Sequence, residues 1–304
     1  IYSHSIMGKK ILNRTKIRRI AGMGKRTGKR FLGYLMYPYR SRFRPRKFHS
    51  FCVGTMKSGT TSMSGLFHPF YRAAHEPESQ LIISLMNIND ISLIEHDKLI
   101  DFFLRRDKRL WLEFESSHEI ANYVKILVKA FENAKFILTI RDCYSWLDSA
   151  FNNQINHNFS KTSTWNKMYD IYFRPDIFSR SEHEQMFINF SKKLYTLDGY
   201  LSFWAAHNNK VLNSVPKNRL LILRTHEISR EIDKIEKFLG IPLGSLNQTQ
   251  SHLRKAKRKW RVISKINPNF LERKVDQYCR DLMDEYFPEI SCYEDSLHIN
   301  KSCN

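Results

Sequence analysis

The chain has 304 residues, 42% hydrophobic and 13% aromatic, with a formal net charge of +20. That is a globular composition, long enough to bury one large core. No stretch approaches the ~20 apolar residues of a membrane span, and five Cys without CxxC or paired His spacing speak against a metal centre or disulfide framework and fit a reducing cytoplasm.

The charge is unevenly spread. Residues 1–50 carry 15 Lys/Arg and no Asp/Glu, leaving 35 Lys/Arg against 30 Asp/Glu for the remainder. A basic arm over 1–47, interrupted by the apolar run Phe31–Tyr37, is expected ahead of a mildly basic body over 48–304. Such an arm suits weak contact with an anionic membrane, or else extends into solvent and packs on the body. A basic nucleic-acid-binding protein is the non-enzymatic alternative, but no recognised binding motif occurs in the body, so no specific nucleic-acid partner is expected.

The body opens on its most informative segment, Phe48–Met63. A β-type run ends at Gly54, a loop carries Lys57, Ser58 and Gly59, and the hydroxyls of Thr60, Thr61 and Ser62 lead into an apolar-periodic helix. This strand–loop–helix builds an anion site. Glycine permits the turn, the first backbone N–H groups of the helix have no helical partner, and the helix dipole favours negative charge. Gly54 and Gly59 have the Walker A separation, yet Thr60 stands where that motif requires Lys.

Downstream, Leu110–Glu115 reads as a strand and Ile120–Phe131 as an amphipathic helix. Lys135–Arg141 is a compact strand, with helical character from Asp142 to Ser149. A polar, aromatic-rich stretch over 152–180 precedes a long helix over Glu184–Leu212. Arg219–Arg224 is another buried strand, and Ser229 is expected to cap a helix ending at Leu239–Gly240. Alternating strands and helices imply an α/β three-layer sandwich around a central parallel sheet. Ligands of such sheets bind beyond the carboxyl ends of the strands, where Lys57, Glu115, Arg141 and Thr225 emerge. A basic cluster, His252–Lys259, follows the last α/β unit.

The order Lys57-Ser-Gly-Thr-Thr61 resembles the 5′-phosphosulfate loop of sulfotransferases that use 3′-phosphoadenosine 5′-phosphosulfate (PAPS) and release PAP. Arg141 and Ser149, eight apart, match the family's 3′-phosphate pair at the end of a strand and in the helix after it. The resemblance implies a P-loop-like sulfotransferase domain over 48–304. It would bind PAPS through Lys57, Ser58, Gly59, Thr60, Thr61, Ser62, Arg141 and Ser149, without a metal. A late Lys/Arg-Gly segment that such enzymes fold over the 3′-phosphate suggests Lys255 or Lys257, although Ala256 stands where the Gly would be.

Lys57 is the natural cation for the departing phosphate oxygen. Two residues compete for the base. His68-Pro69 leading to Glu76 resembles the segment carrying the catalytic Glu of tyrosylprotein sulfotransferases, with His75 replacing a second Glu. His118 lies close to the placement of the catalytic His in cytosolic sulfotransferases, with Ser117 in place of their Lys. Glu115 is a third, weaker candidate. The resemblance implies sulfuryl transfer to a hydroxyl or amine of a small acceptor such as a natural product or sugar. A P-loop nucleotide kinase or NTPase, with Asp142 holding Mg²⁺, is the alternative.

Overall fold

The computed structural model describes residues 32–33, 35–86, 96–157, 162–191, 194–248 and 259–302. They form two compact units: a smaller one joining residues 32–45 to Leu104–Trp111, and a larger one holding Arg46–Phe103 and Leu112 onward. The smaller unit contains helix α1 (Tyr37–Phe43).

The larger unit is built on five parallel strands: β1 (Ser50–Cys52), β2 (Ala73–His75), β3 (Phe114–Ser116), β4 (Lys135–Ile140) and β5 (Leu220–Arg224), in the order β2-β3-β1-β4-β5. The strands are short, and the two longest, β4 and β5, carry the continuous apolar runs of a sheet covered on both faces. Along β4, Phe136, Leu138 and Ile140 enter one core cluster while Ile137 enters the other. The second cluster packs Met63, Leu66 and Phe67 of α2 (Thr60–Phe67) against Ile232, Ile235 and Leu239 of a later helix. The first takes Trp146, Leu147, Leu201 and Trp204 from the opposite layer. Helix, sheet and helix thus make the expected three layers. The order turns back on itself around β1, which places a topological switch at the carboxyl end of that strand.

The remaining helices are α3 (Ser79–Met86), α4 (His96–Leu110), α5 (Val124–Ala130), α6 (Cys143–Asn156), α7 (Thr164–Phe173), α8 (Phe187–Phe190), α9 (Leu197–Ser214), α10 (Ile232–Leu239), α11 (Pro268–Tyr278), α12 (Arg280–Tyr286) and α13 (Tyr293–Ser302). Several expected boundaries move. The strand expected over Leu110–Glu115 begins at Phe114, because α4 continues to Leu110 and Trp111 then leaves the helical region with φ 51. The single helix expected over Glu184–Leu212 is broken: Ser191 is extended after α8, and the Thr196 side chain accepts from Gly199 N–H to start α9. The helix over Ile120–Phe131 opens as a 3-10 turn, Glu119–Tyr123, before α5. Ser229 does not cap α10, which starts at Ile232 behind Glu231, while Gly240 ends it in the left-handed conformation as expected.

Candidate active site

The loop after β1 is shaped by what cannot fit in it. A Cβ at Gly54 would lie 2.0 Å from Thr139 Oγ1 and 2.5 Å from Ser58 Oγ. Gly59 caps α2 in the left-handed region, φ 92, and a Cβ there would stand 2.9 Å from Ile228 Cδ1. The first helical bond runs from Met63 N–H to Gly59 O, so the N–H groups of Thr60, Thr61 and Ser62 stand ahead of the helix's own ladder, a position that suits an anion. Lys57 sits half-buried on the loop with φ 66.

Ser58 departs from its expected role. Its hydroxyl donates to Thr55 O at 2.7 Å and meets Thr139 Oγ1 at 3.0 Å, its N–H reaches Thr55 O, and the residue is fully buried. It fixes the loop from inside instead of facing a ligand. Thr225, just after β5, does the same, donating to Ser58 O at 2.8 Å, and Ser116 donates to Thr60 O at 2.7 Å.

Arg141 ends β4 beside this loop: its Nη1 donates to Lys57 O at 3.3 Å and its Nε to Ser145 Oγ at 2.9 Å. Burial lowers its pKa, opposed by the charges of Asp142 and Asp148. Ser145, four residues on, takes the Arg141 Nε contact, while Ser149, which the resemblance pairs with Arg141 on the 3′-phosphate, is half-buried on α6. Asp142, the residue a nucleotide kinase would give to Mg²⁺, is committed to capping α6: it accepts Ser145 N–H at 2.9 Å and Ser296 Oγ–H at 2.7 Å. Lys255 and Lys257 lie outside the described residues. The chain next described returns onto α6, where Trp260 N–H donates to Asn152 Oδ1 at 2.6 Å.

On the other side of β1, one run of polar contacts links the loop to both base candidates. His75 Nε2 lies 3.1 Å from Thr61 Oγ1, 3.3 Å from Thr60 Oγ1 and 3.7 Å from Glu76 Oε1. Glu76 Oε1 is 3.0 Å from His118 Nδ1, and Glu119 Oε2 is 3.4 Å from that same nitrogen. The structure thus joins the two rival bases into a single carboxylate–imidazole pair. Glu76 is the more accessible, its side chain 22% exposed against 3% for His118. Glu115 is buried and accepts from Ser117 Oγ at 3.2 Å.

Burial opposes a positive charge on His118, but the Glu76 hydrogen bond and the Glu119 charge outweigh it and raise its pKa above 6.5. Burial pushes Glu119 up from 4.5 to about 7, its carboxylate oxygens having no hydrogen-bond partner. Glu76, His118 and Glu119 hold three ligand atoms within 4.8 Å of one another, a grouping that could also hold a cation. Trp165 and Tyr172 flank the His118 ring at 6.2 and 6.1 Å. The aromatic stretch divides accordingly: Tyr169, Tyr172 and Phe173 are buried in the core, and half-buried Trp165 borders the pair.

Sequence reasoning passed over His75, Thr139 and Ser145. His75 registered there as a departure from a Glu-Glu pair, yet its place at the end of β2, one residue before Glu76, was a usable signal.

The sulfotransferase-domain family matches the chain over residues 50–248, from β1 to beyond α10. The chain belongs to the sulfotransferase family. No curated protein matches it. Among solved structures, a sulfotransferase from Mycobacterium avium, STF9, is similar at 11% identity with TM-score 0.45, covering 83% of this chain and 82% of that one. A sulfotransferase from Alicyclobacillus acidocaldarius is 15% identical with TM-score 0.38, covering 76% and 94%. In this sulfotransferase no helix among the described residues is long and apolar enough to cross a membrane.

Proposed function

We propose that this sulfotransferase uses PAPS and transfers its sulfuryl group to a hydroxyl or amine of a small acceptor. The observation that carries the reading is the unbroken polar run from the anion loop to an accessible carboxylate: Thr61, His75, Glu76 and His118. The residues fit the donor. Gly54 and Gly59 let the loop close against Thr139, Ser58 and Ile228, the helix start supplies backbone donors, and Arg141 is a half-buried guanidinium beside the loop. Thr60, Thr61, Ser62 and Gly59 would hold the 5′ side, Lys57 would steady the departing phosphate oxygen, and Arg141 would hold the 3′-phosphate, with Ser149 and the 255–257 segment as further contacts.

PAPS supplies the sulfuryl group and leaves as PAP. Catalysis then rests on positioning and charge stabilisation, by analogy with phosphoryl transfer. The chain's own task is to take the acceptor proton. Glu76 is the base: it is the exposed member of the pair, and the contacts that keep a proton on His118 Nδ1 make that ring a donor to Glu76 Oε1. His118 aims the carboxylate, and Glu119 sits behind it.

Calorimetry tests the reading. PAP should bind far more tightly than ATP, without Mg²⁺ and in the presence of EDTA; equal ATP binding with a Mg²⁺ requirement would sink the proposal in favour of a P-loop NTPase. Arg141→Ala should weaken PAP roughly tenfold to 150-fold, the worth of one charge-assisted contact. A screen of small acceptors with labelled PAPS then identifies the second substrate.

A further inference from the structure

The smaller unit carries a surface that the transfer reaction does not use. Hydrogen bonds from Met36 N–H to Leu32 O, Arg40 N–H to Met36 O and Arg44 N–H to Arg40 O, each 2.9 Å, extend α1 backward in helical register. One side of this helix is held within its unit. Tyr37 packs edge-on against Trp111 at 5.2 Å, Arg40 Nη1 donates to Arg109 O, and Trp111 Nε1–H donates to Arg44 O. Gly33 lies buried on the same side, where a Cβ would stand 2.6 Å from Arg109 Cγ.

The other side is apolar and open. Leu32, Leu35, Tyr39 and Phe43, spaced three, four and four residues apart, form one stripe and are 56%, 61%, 54% and 62% exposed. At 100° per residue the four fall within about a quarter of the helix circumference. The unit that carries them is basic. The described residues of the unit hold seven Lys/Arg and a single acid, Asp107, and Arg42 lies over the Phe43 ring at 5.6 Å. By sequence, residues 1–31 add ten Lys/Arg and no acid.

We propose that this stripe docks on an anionic lipid surface, with Leu32, Leu35, Tyr39 and Phe43 entering the headgroup–acyl boundary and the flanking arginines meeting lipid phosphates and carboxylates. An exposed apolar stripe on a short helix gives interfacial binding, and cationic flanks select anionic lipid. The charge decides among occupants. A second copy would bring the same excess of Lys/Arg against this one, and like charges brought together oppose association. An anionic bilayer complements both the stripe and its surroundings. The inference stands apart from the transferase reading.

Co-sedimentation of the full chain with vesicles tests it. Binding is expected to phosphatidylserine-rich vesicles at low salt, to fall steeply as salt rises, and to be negligible on phosphatidylcholine alone. Leu35→Glu with Phe43→Glu should cut binding by at least about tenfold per side chain while the melting temperature and PAP affinity stay at wild-type values. Tyr39→Ser with Leu32→Ser, milder changes at exposed positions, should weaken it in the same direction. Equal binding to both vesicle types overturns the proposal, as does no binding at all. Anionic binding that survives the glutamate pair assigns the affinity to charge alone and removes the stripe from it. A dimer in vesicle-free solution that the glutamate pair dissolves replaces the lipid with a second copy.

Discussion

Glu76 holds a backbone conformation, φ 50, that side chains with a Cβ seldom adopt. Its N–H is pinned to Ser116 O at 2.9 Å and its carboxylate to His118, so the neighbouring strand ends hold the residue in place. Such local strain belongs at sites where placement matters more than comfort. Glu76→Gln keeps shape and hydrogen-bonding reach but cannot take a proton. Transfer should fall by about 10²–10⁴-fold with little change in PAP affinity, read from initial rates and calorimetry on the same protein. His118→Ala should cost less, roughly tenfold, through lost aim of the carboxylate. The reverse order of losses would make His118 the base and Glu76 its orienting partner.

Among the elements, the strand–loop–helix was the most legible in the sequence, because its glycines answer to sterics that leave no alternative. Gly54→Ala should abolish PAP binding, since the added methyl would meet Thr139 and Ser58 well inside contact distance and the loop would have to move. A correctly folded Gly54→Ala protein that still binds PAP at wild-type affinity would show that the loop is not the anion cradle. The β4–Arg141 unit was legible for the same reason: a six-residue buried strand followed at once by a capped helix is a local pattern. β2 was not legible, because Ala73–His75 has three half-buried residues and no apolar alternation. The helices α3 and α4 were passed over although their residues keep helical spacing. The site's wiring was out of reach for another reason. Which hydroxyl Arg141 meets, and that Ser58 turns inward, depend on how loops from different strands fit around Thr139, and sequence spacing alone does not encode that.

For the whole molecule, stability should carry the signature of the buried acid beneath the site. Glu119 is fully buried without hydrogen-bond partners for its oxygens, and its pKa rises from 4.5 to about 7 in the folded state. A carboxyl raised on folding contributes its stability below the unfolded value, near pH 4.5, and loses it as pH climbs through about 7, because the unfolded chain ionises first. His118 works in the same direction. Its folded pKa lies above 6.5, so the stability it gains from the Glu76 hydrogen bond is present below that value and fades as pH rises past the folded one. These two groups therefore weaken the fold as pH rises toward the alkaline side, whereas buried His207, its pKa pushed down to about 3, gains stability as pH rises to 6.5 and acts against them in the acidic range. Glu119→Gln removes the acid's share: at pH 8 its melting temperature should exceed that of the parent, and the gap should close toward pH 4.5. Each pKa unit is worth ~1.4 kcal/mol, and 1 kcal/mol moves the melting temperature of a domain this size by roughly 2–4 °C, so a scan across that range resolves even one unit. Parallel curves for parent and variant would mean that Glu119 is solvated or paired in the folded state, and the picture of a proton held behind His118 would fall with it.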